Sequence, residues 1–344
     1  MEFTDSPDQA ALREVVRDFL GRHVTPERVR AAAAGSDGYD AALWMRFCGE
    51  LGLTALPVPE ALGGAGAGFA EVAVVLEETG RVLAPVPYLS GAVAATLLAC
   101  GEPDAARQFL PGLADGTAKA ALALDGEVTL EDGTVSGTAR NVADGAAADV
   151  LLVRAVDTLV AVRAADADVE AVGTLDQTRP RANVTFRASP AITVGVPADL
   201  AQDLLRTALA VEAVGAADHC LAATVAYLKE RVQFGRPIGQ FQALKHRCAD
   251  LAVEVESARA TARAAVWTAV HDPGSLAVVG PLAKRHCADV FMHVTAEMIQ
   301  LHGGIGFTWE HEAHLYFKRA KSTQLTAGTP AQLRRLVGER AGLI

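Results

Sequence analysis

The residues whose types and spacing could do chemistry are gathered in Tyr227–His246, YLKERVQFGRPIGQFQALKH, which sets Arg231 and Arg236 beside Gln240 and Gln242. Guanidinium groups with amide donors close by could hold an oxyanion, because a guanidinium offers parallel N–H groups to a phosphate or a carboxylate. The same residues also suit a solvated basic turn between helices, since arginines are mostly exposed in any protein. Residue chemistry leaves both open.

The flanking elements would have to position that corner. VAYLKERVQF reads as the end of a helix, with Lys229 and Arg231 where cations complement the dipole; Gly235 ends it and Pro237 prevents its resumption. The next helix carries an apolar stripe of Leu244, Leu251, Val255, Ala258, Ala262 and Val266. Upstream, LAQDLLRTALAVEAVGAADHCLAATVAYLKERV is a long apolar-striped helix, in which Gly215 is explained by close packing. Downstream, GSLAVVGPLAKRHCADVFMHVTAEMIQLHGG predicts a third helix closed by Gly303-Gly304.

The rest of the chain falls into blocks. Residues 1–117 read as helical: Ser6-Pro7 opens a helix whose stripe is Leu12, Val15, Val16, Phe19 and Leu20, and the glycine-rich run before Phe69 reads as a loop rather than a phosphate cradle. Residues 118–196 switch to short apolar runs broken by Asp-Gly pairs, a small β-domain. Residues 197–344 return to helix.

The 344 residues exceed what one core usually serves, and a net charge of −10 without long runs of one sign argues against nucleic acid and anionic membrane as partners. The five scattered cysteines form no CxxC pair and no metal spacing, so no metal is expected. Acids stand where a signal peptide needs bases and no apolar run reaches a membrane span, which gives the expectation of a cytoplasmic protein.

ERVQFGRPIGQFQ resembles a signature of the acyl-CoA dehydrogenase family, QLHGGIGFTWEHEAHLYFKRAK a second, and ELGLTALPVPEALGGAG the family's N-terminal loop near the acyl-CoA channel. The resemblance is strongest over 197–330, fair over 1–117 and weak between. It implies an α+β multi-domain fold with an N-terminal helical domain, a small middle β-domain and a C-terminal four-helix bundle. It also implies FAD as cofactor, an acyl-CoA substrate and a dimer or tetramer. Carried over, Arg231 would meet the flavin pyrophosphate of a neighbouring subunit, Phe234 would pack on the cofactor, and Gln242 would hydrogen-bond it. Gln300, Gly303 and Gly304 would approach the adenylate end, and Thr329 joins the cofactor set.

The chain departs from the family in two ways. The turns that support the flavin ring from its own subunit are replaced by Leu122-Ala123-Leu124-Asp125 and Arg140-Asn141-Val142. Neither position the family uses for its glutamate base is acidic: one is Ala327, the other Leu205. Asp203, two residues from Leu205, should point elsewhere, and Glu212 is the remaining weak candidate. Such a chain resembles subunits of heteromeric acyl-CoA dehydrogenases of steroid degradation, in which one subunit supplies the base and the other completes the FAD pocket. A self-sufficient enzyme with an unrecognised carboxylate, and a flavin oxidase or oxygenase on the same fold, are the alternatives.

Overall fold

The computed structural model describes residues 4–344 except Ser36. The N-terminal block holds α1 (Pro7–His23), α2 (Pro26–Ala34), α3 (Ala41–Gly49), α4 (Phe69–Arg81), α5 (Tyr88–Ala99) and α6 (Pro103–Ala114). Ser6 and Gln9 cap α1 reciprocally with Pro7 in the first turn. Val16, Phe19 and Leu20 are buried, while Val15 turns outward, so the stripe is narrower than the sequence pattern. Before α4 the Glu71 carboxylate accepts from the Gly68 N–H at 2.9 Å, placing a side-chain acid where a bound phosphate would sit.

The middle block packs two four-stranded sheets, β1-β4-β5-β8 and β2-β3-β7-β6. Their strands are β1 (Ala120–Ala123), β2 (Gly126–Glu131), β3 (Thr134–Ala143), β4 (Val150–Ala155), β5 (Thr158–Arg163), β6 (Asp168–Val172), β7 (Arg181–Pro190) and β8 (Ile192–Pro197). The Asp132-Gly133 pair makes a true hairpin, both residues at positive φ. Asp125-Gly126 does not: β1 pairs in parallel with β4, and at Gly126 (φ 140°) the chain crosses to the other sheet. Apolar side chains such as Val128, Leu151, Val160 and Phe186 fill a core of this domain's own.

The C-terminal block consists of α7 (Ala198–Glu230), α8 (Gln242–His271), α9 (Leu276–His302) and α10 (Ala313–Leu325), with the shorter α11 (Pro330–Arg340) added against α9. By length and composition α7 is the one described helix that could cross a bilayer, but two-thirds of its apolar stretch is buried in the fold, so it is a core helix. Its crossing with α4 is tight in both directions. A Cβ on Gly215 would lie 2.8 Å from the Glu77 carbonyl carbon, and one on Gly80 2.9 Å from that of Glu212.

One correction concerns the corner itself. Helix α7 stops at Glu230, short of the expected Phe234, and Arg231 is already extended. Val232–Gln233 and Arg236–Pro237 form a minute antiparallel pair, β9 and β10, turned by Phe234 and Gly235 at φ 52° and 76°. Phenylalanine in the left-handed region is strained, since its Cβ crowds the backbone there.

Candidate functional site

Two regions of the fold carry the candidate residues. The first is the corner. Phe234 is 90 % exposed, and the guanidinium of Arg231 and the amides of Gln242 and Gln300 have no partner among the described residues. The Arg236 guanidinium lies over the Phe241 ring at 4.2 Å, which stiffens the turn. The loop after α9 is brought to this corner by Tyr227, which stacks on His302 with ring centroids 4.4 Å apart and donates its hydroxyl to the His302 carbonyl at 3.3 Å. Burial holds the His302 pKa below its ordinary value, so the ring is neutral and its Nδ1–H donates to the Met298 carbonyl. Gly303 ends α9 at φ 64°. Gly304 has an ordinary φ, and a Cβ there would meet nothing within 4 Å, so nothing among the described residues requires glycine at that place. Phe307 and Trp309, in the same loop, are 88 % and 74 % exposed.

The second region is a cleft between α5, the β-domain and the start of α7. Leu122, Leu124, Asp125, Arg140 and Asn141 line it together with Leu205 and Ala327, so both altered turns and both positions at which the resemblance expects a base converge there. The cavity measures about 30 Å³. Its walls also include Arg179 and Arg181, and Asn141 and Ala327 hold positive φ. The run of α7 from Leu205 to its end beside Arg231 separates cleft from corner by about 39 Å, so one chain does not bring them into one site.

Beneath the cleft runs a buried ionic network. Glu212 pairs with Arg179, and with Arg319 at 3.3 Å; Arg319 pairs with Asp176 at 2.9 Å and donates to the Thr178 carbonyl. Burial opposes ionisation of Asp176, yet Arg319 and Arg179 hold its carboxyl below the usual range. Glu212 is thus occupied by two cations, where a free carboxylate would be needed to take a proton. Asp203 is likewise taken, by Arg206 at 2.6 Å and Arg340 at 2.8 Å. Thr329 lies apart from the other cofactor candidates. Its hydroxyl caps α11, and the adjacent Gly328 carbonyl accepts from Lys284, about 28 Å along α9 from Gly303.

Sequence reasoning missed Arg179, Arg181, Arg319 and Lys284. Thr-Arg-Pro-Arg before β7 was the available signal, two arginines beside a proline at a domain junction. Lys284 is 1 % exposed and spans the Gln324 and Gly328 carbonyls, tying down the loop that carries Ala327. Burial first, then Arg206, presses its ammonium down to about 7. A larger cavity of about 200 Å³ lies between α1, α4, α7 and α8, away from every candidate, and its charges close on one another, as Arg13 does on Asp5 and Glu77.

Comparison with known proteins gives one answer. The family models described as "Acyl-CoA dehydrogenase, N-terminal domain" and "Acyl-CoA dehydrogenase, C-terminal domain" match residues 6–117 and 201–342. The chain is 41 % identical to acyl-CoA dehydrogenase IpdE2 of Mycobacterium tuberculosis, over 98 % of each chain. It is 41 % identical to IpdE2 of Mycolicibacterium smegmatis, over 97 % of this chain and 99 % of that one. Among solved structures, a variant of the Tcur3481-Tcur3483 steroid ACAD superposes with a TM-score of 0.91 at 32 % identity, covering 97 % of this chain and 98 % of that one. The ChsE4-ChsE5 complex of M. tuberculosis also gives 0.91, at 27 % identity over the whole of both chains.

Proposed function

The chain belongs to the acyl-CoA dehydrogenase family of oxidoreductases, and from that premise we propose that it is the base-lacking subunit of a heteromeric, FAD-dependent enzyme desaturating a steroid-derived acyl-CoA. The observation that carries this reading is the cleft. Leu205 and Ala327 face it where the family resemblance expects a base, and the nearby Glu212 and Asp203 are held by arginines. The likeness to a steroid ACAD and to the ChsE4-ChsE5 complex favours a second, similar subunit.

The corner fits a cofactor approached from outside the chain. Arg231 presents an unpaired guanidinium suited to a pyrophosphate, Phe234 an exposed ring held at a strained φ, and Gly304 an uncrowded backbone. Bound FAD would supply the hydride acceptor for the β-carbon. This chain's part is to hold the pyrophosphate through Arg231 and to cover the cofactor with Phe234. Because its own cleft is about 39 Å away, the corner serves a site built by another subunit.

One specific observation favours a second reading, a self-sufficient enzyme. Asp125 lines the cleft at its exposed rim and has no ion-pair partner among the described residues, so it is the carboxylate available to a substrate there.

The test is visible absorbance of the purified chain, alone and co-expressed with an acyl-CoA dehydrogenase-like subunit that has the family's glutamate, before and after anaerobic addition of acyl-CoA thioesters. Only the co-expressed assembly should be yellow and bleach, and Arg231→Ala should remove its flavin. A chain that is yellow and bleaches alone overturns the subunit role, and loss of that bleaching in Asp125→Asn would identify the base.

A further inference from the structure

The lining of the cleft that lacks a base holds three arginines, Arg140, Arg179 and Arg181, and one acid, Asp125. Arg181 is half-buried, yet its guanidinium bonds neutral oxygens alone: the Asn141 carbonyl at 2.8 Å and the hydroxyls of Ser322 and Thr326. Burial first, then the Arg179 cation, presses it down to about 10, and Asp144 and Asp176 attract it from beyond ion-pair contact. Arg179, 5 % exposed, gives one nitrogen to Glu212 while its Nη1, fully buried, has no partner among the described residues. Gln202, 6 % exposed, lines the same cleft with its side-chain oxygen unpartnered, and a turn of that amide would present its NH2 instead. Arg140 stands at the rim without an ion pair among the described residues.

Most of the acids that face this cluster are already engaged. Burial raises the Asp144 pKa, and its carboxyl accepts from the Ser90 hydroxyl at 2.8 Å. Glu212 and Asp176 are shared with Arg319. Asp125 sits at the outer rim. Buried donors without acceptors are unfavourable unless something else satisfies them, and guanidinium groups are matched by planar oxyanions. Leu89, Leu122, Leu124, Leu205 and Leu209 complete the walls, and past Asp125, Gln202 and Ala327 the cleft opens into a recess of about 470 Å³.

We propose that this cleft is a recognition site for a carboxylate carried on an apolar skeleton, with the carboxylate between Arg179 and Arg181 and the skeleton on the leucines and in the recess. It follows that the former catalytic cleft of this chain binds an organic acid in place of a reacting thioester. This rests on the reading that the chain's own cleft has no base, but its test does not depend on flavin or turnover.

Isothermal titration of the purified full chain, in whatever assembly it forms, with cyclohexanecarboxylate, its isosteric amide and inorganic phosphate separates the outcomes. The carboxylate should bind about tenfold or more tightly than the amide, as a charge-assisted pair requires. Arg181→Gln should abolish that preference. The exposed Arg140→Ala, which leaves the buried network intact, should weaken the carboxylate more modestly. Equal affinity for acid and amide, no binding of either, or tighter binding of phosphate than of carboxylate would overturn the assignment. Failure here with a bleaching co-expressed assembly removes this site alone; success here with a chain that bleaches by itself removes the subunit role alone.

Discussion

Gly215→Ala should destabilise the protein by about 2 kcal/mol, although alanine is the better helix former by about 1 kcal/mol. In α7 the added methyl would lie 2.8 Å from the Glu77 carbonyl carbon, closer still to its oxygen, and 3.2 Å from the Arg81 nitrogen. Carbon contacts settle at about 3.5–4.0 Å, so α4 and α7 would have to part by roughly 1 Å. They cannot part freely, because the reciprocal contact of Gly80 on Glu212 lies in the same crossing and Glu212 anchors Arg179 and Arg319. Overpacking of this kind costs about 1–3 kcal/mol, and the rigid backbone on both sides puts this site at the upper end, less the gain in propensity. Urea unfolding of both proteins at equal concentration measures the difference. A variant as stable as the parent, or more so, would mean that the two helices are not in backbone contact and that helix propensity decides the position.

Glu212→Gln leaves Arg179 and Arg319 with one buried carboxylate fewer and should cost about 3–5 kcal/mol in chemical unfolding, while any flavin bound by the assembly stays; loss of flavin with unchanged stability would give Glu212 a direct role. Lys284→Met probes a depressed lysine. Between the folded value of about 7 and the unfolded value of 10.5, the unfolded chain binds more protons, so rising pH stabilises the parent. Relative to the variant, the parent should gain about 2 kcal/mol from pH 7 to pH 9, and parallel curves would show that Lys284 is not depressed. Phe234→Gly relieves the strained φ and should leave folding as stable or more so, yet weaken subunit association in sedimentation velocity; unchanged association would take Phe234 out of the interface.

Much of the fold was legible because its signals are local. The helix start at Ser6-Pro7, the Asp132-Gly133 hairpin, the burial of Leu251, Val255, Ala258 and Ala262 on one face of α8, and the end of α9 at Gly303 each depend on a few neighbouring residues whose chemistry is the same in any context. Local signals failed where a longer-range choice overrode them. Asp125-Gly126 looks like a hairpin turn, but β1 found a better partner in β4, and α7 ended at Glu230 because β9 and β10 pair.

The sequence by itself determined the helix, sheet, helix order, the family signatures at Arg231 and Gln300, and the apolar residues Leu205 and Ala327 where the resemblance expects a base. Only the tertiary structure decided what stands in their place. Arg179 and Arg181 reach the cleft from the start of β7, Glu212 is taken by cations from two other segments, and Lys284 crosses from α9 to fix the loop of Ala327. Ion pairs and buried donors join residues from distant parts of the chain, and their energy depends on burial and separation, neither of which spacing along a sequence encodes.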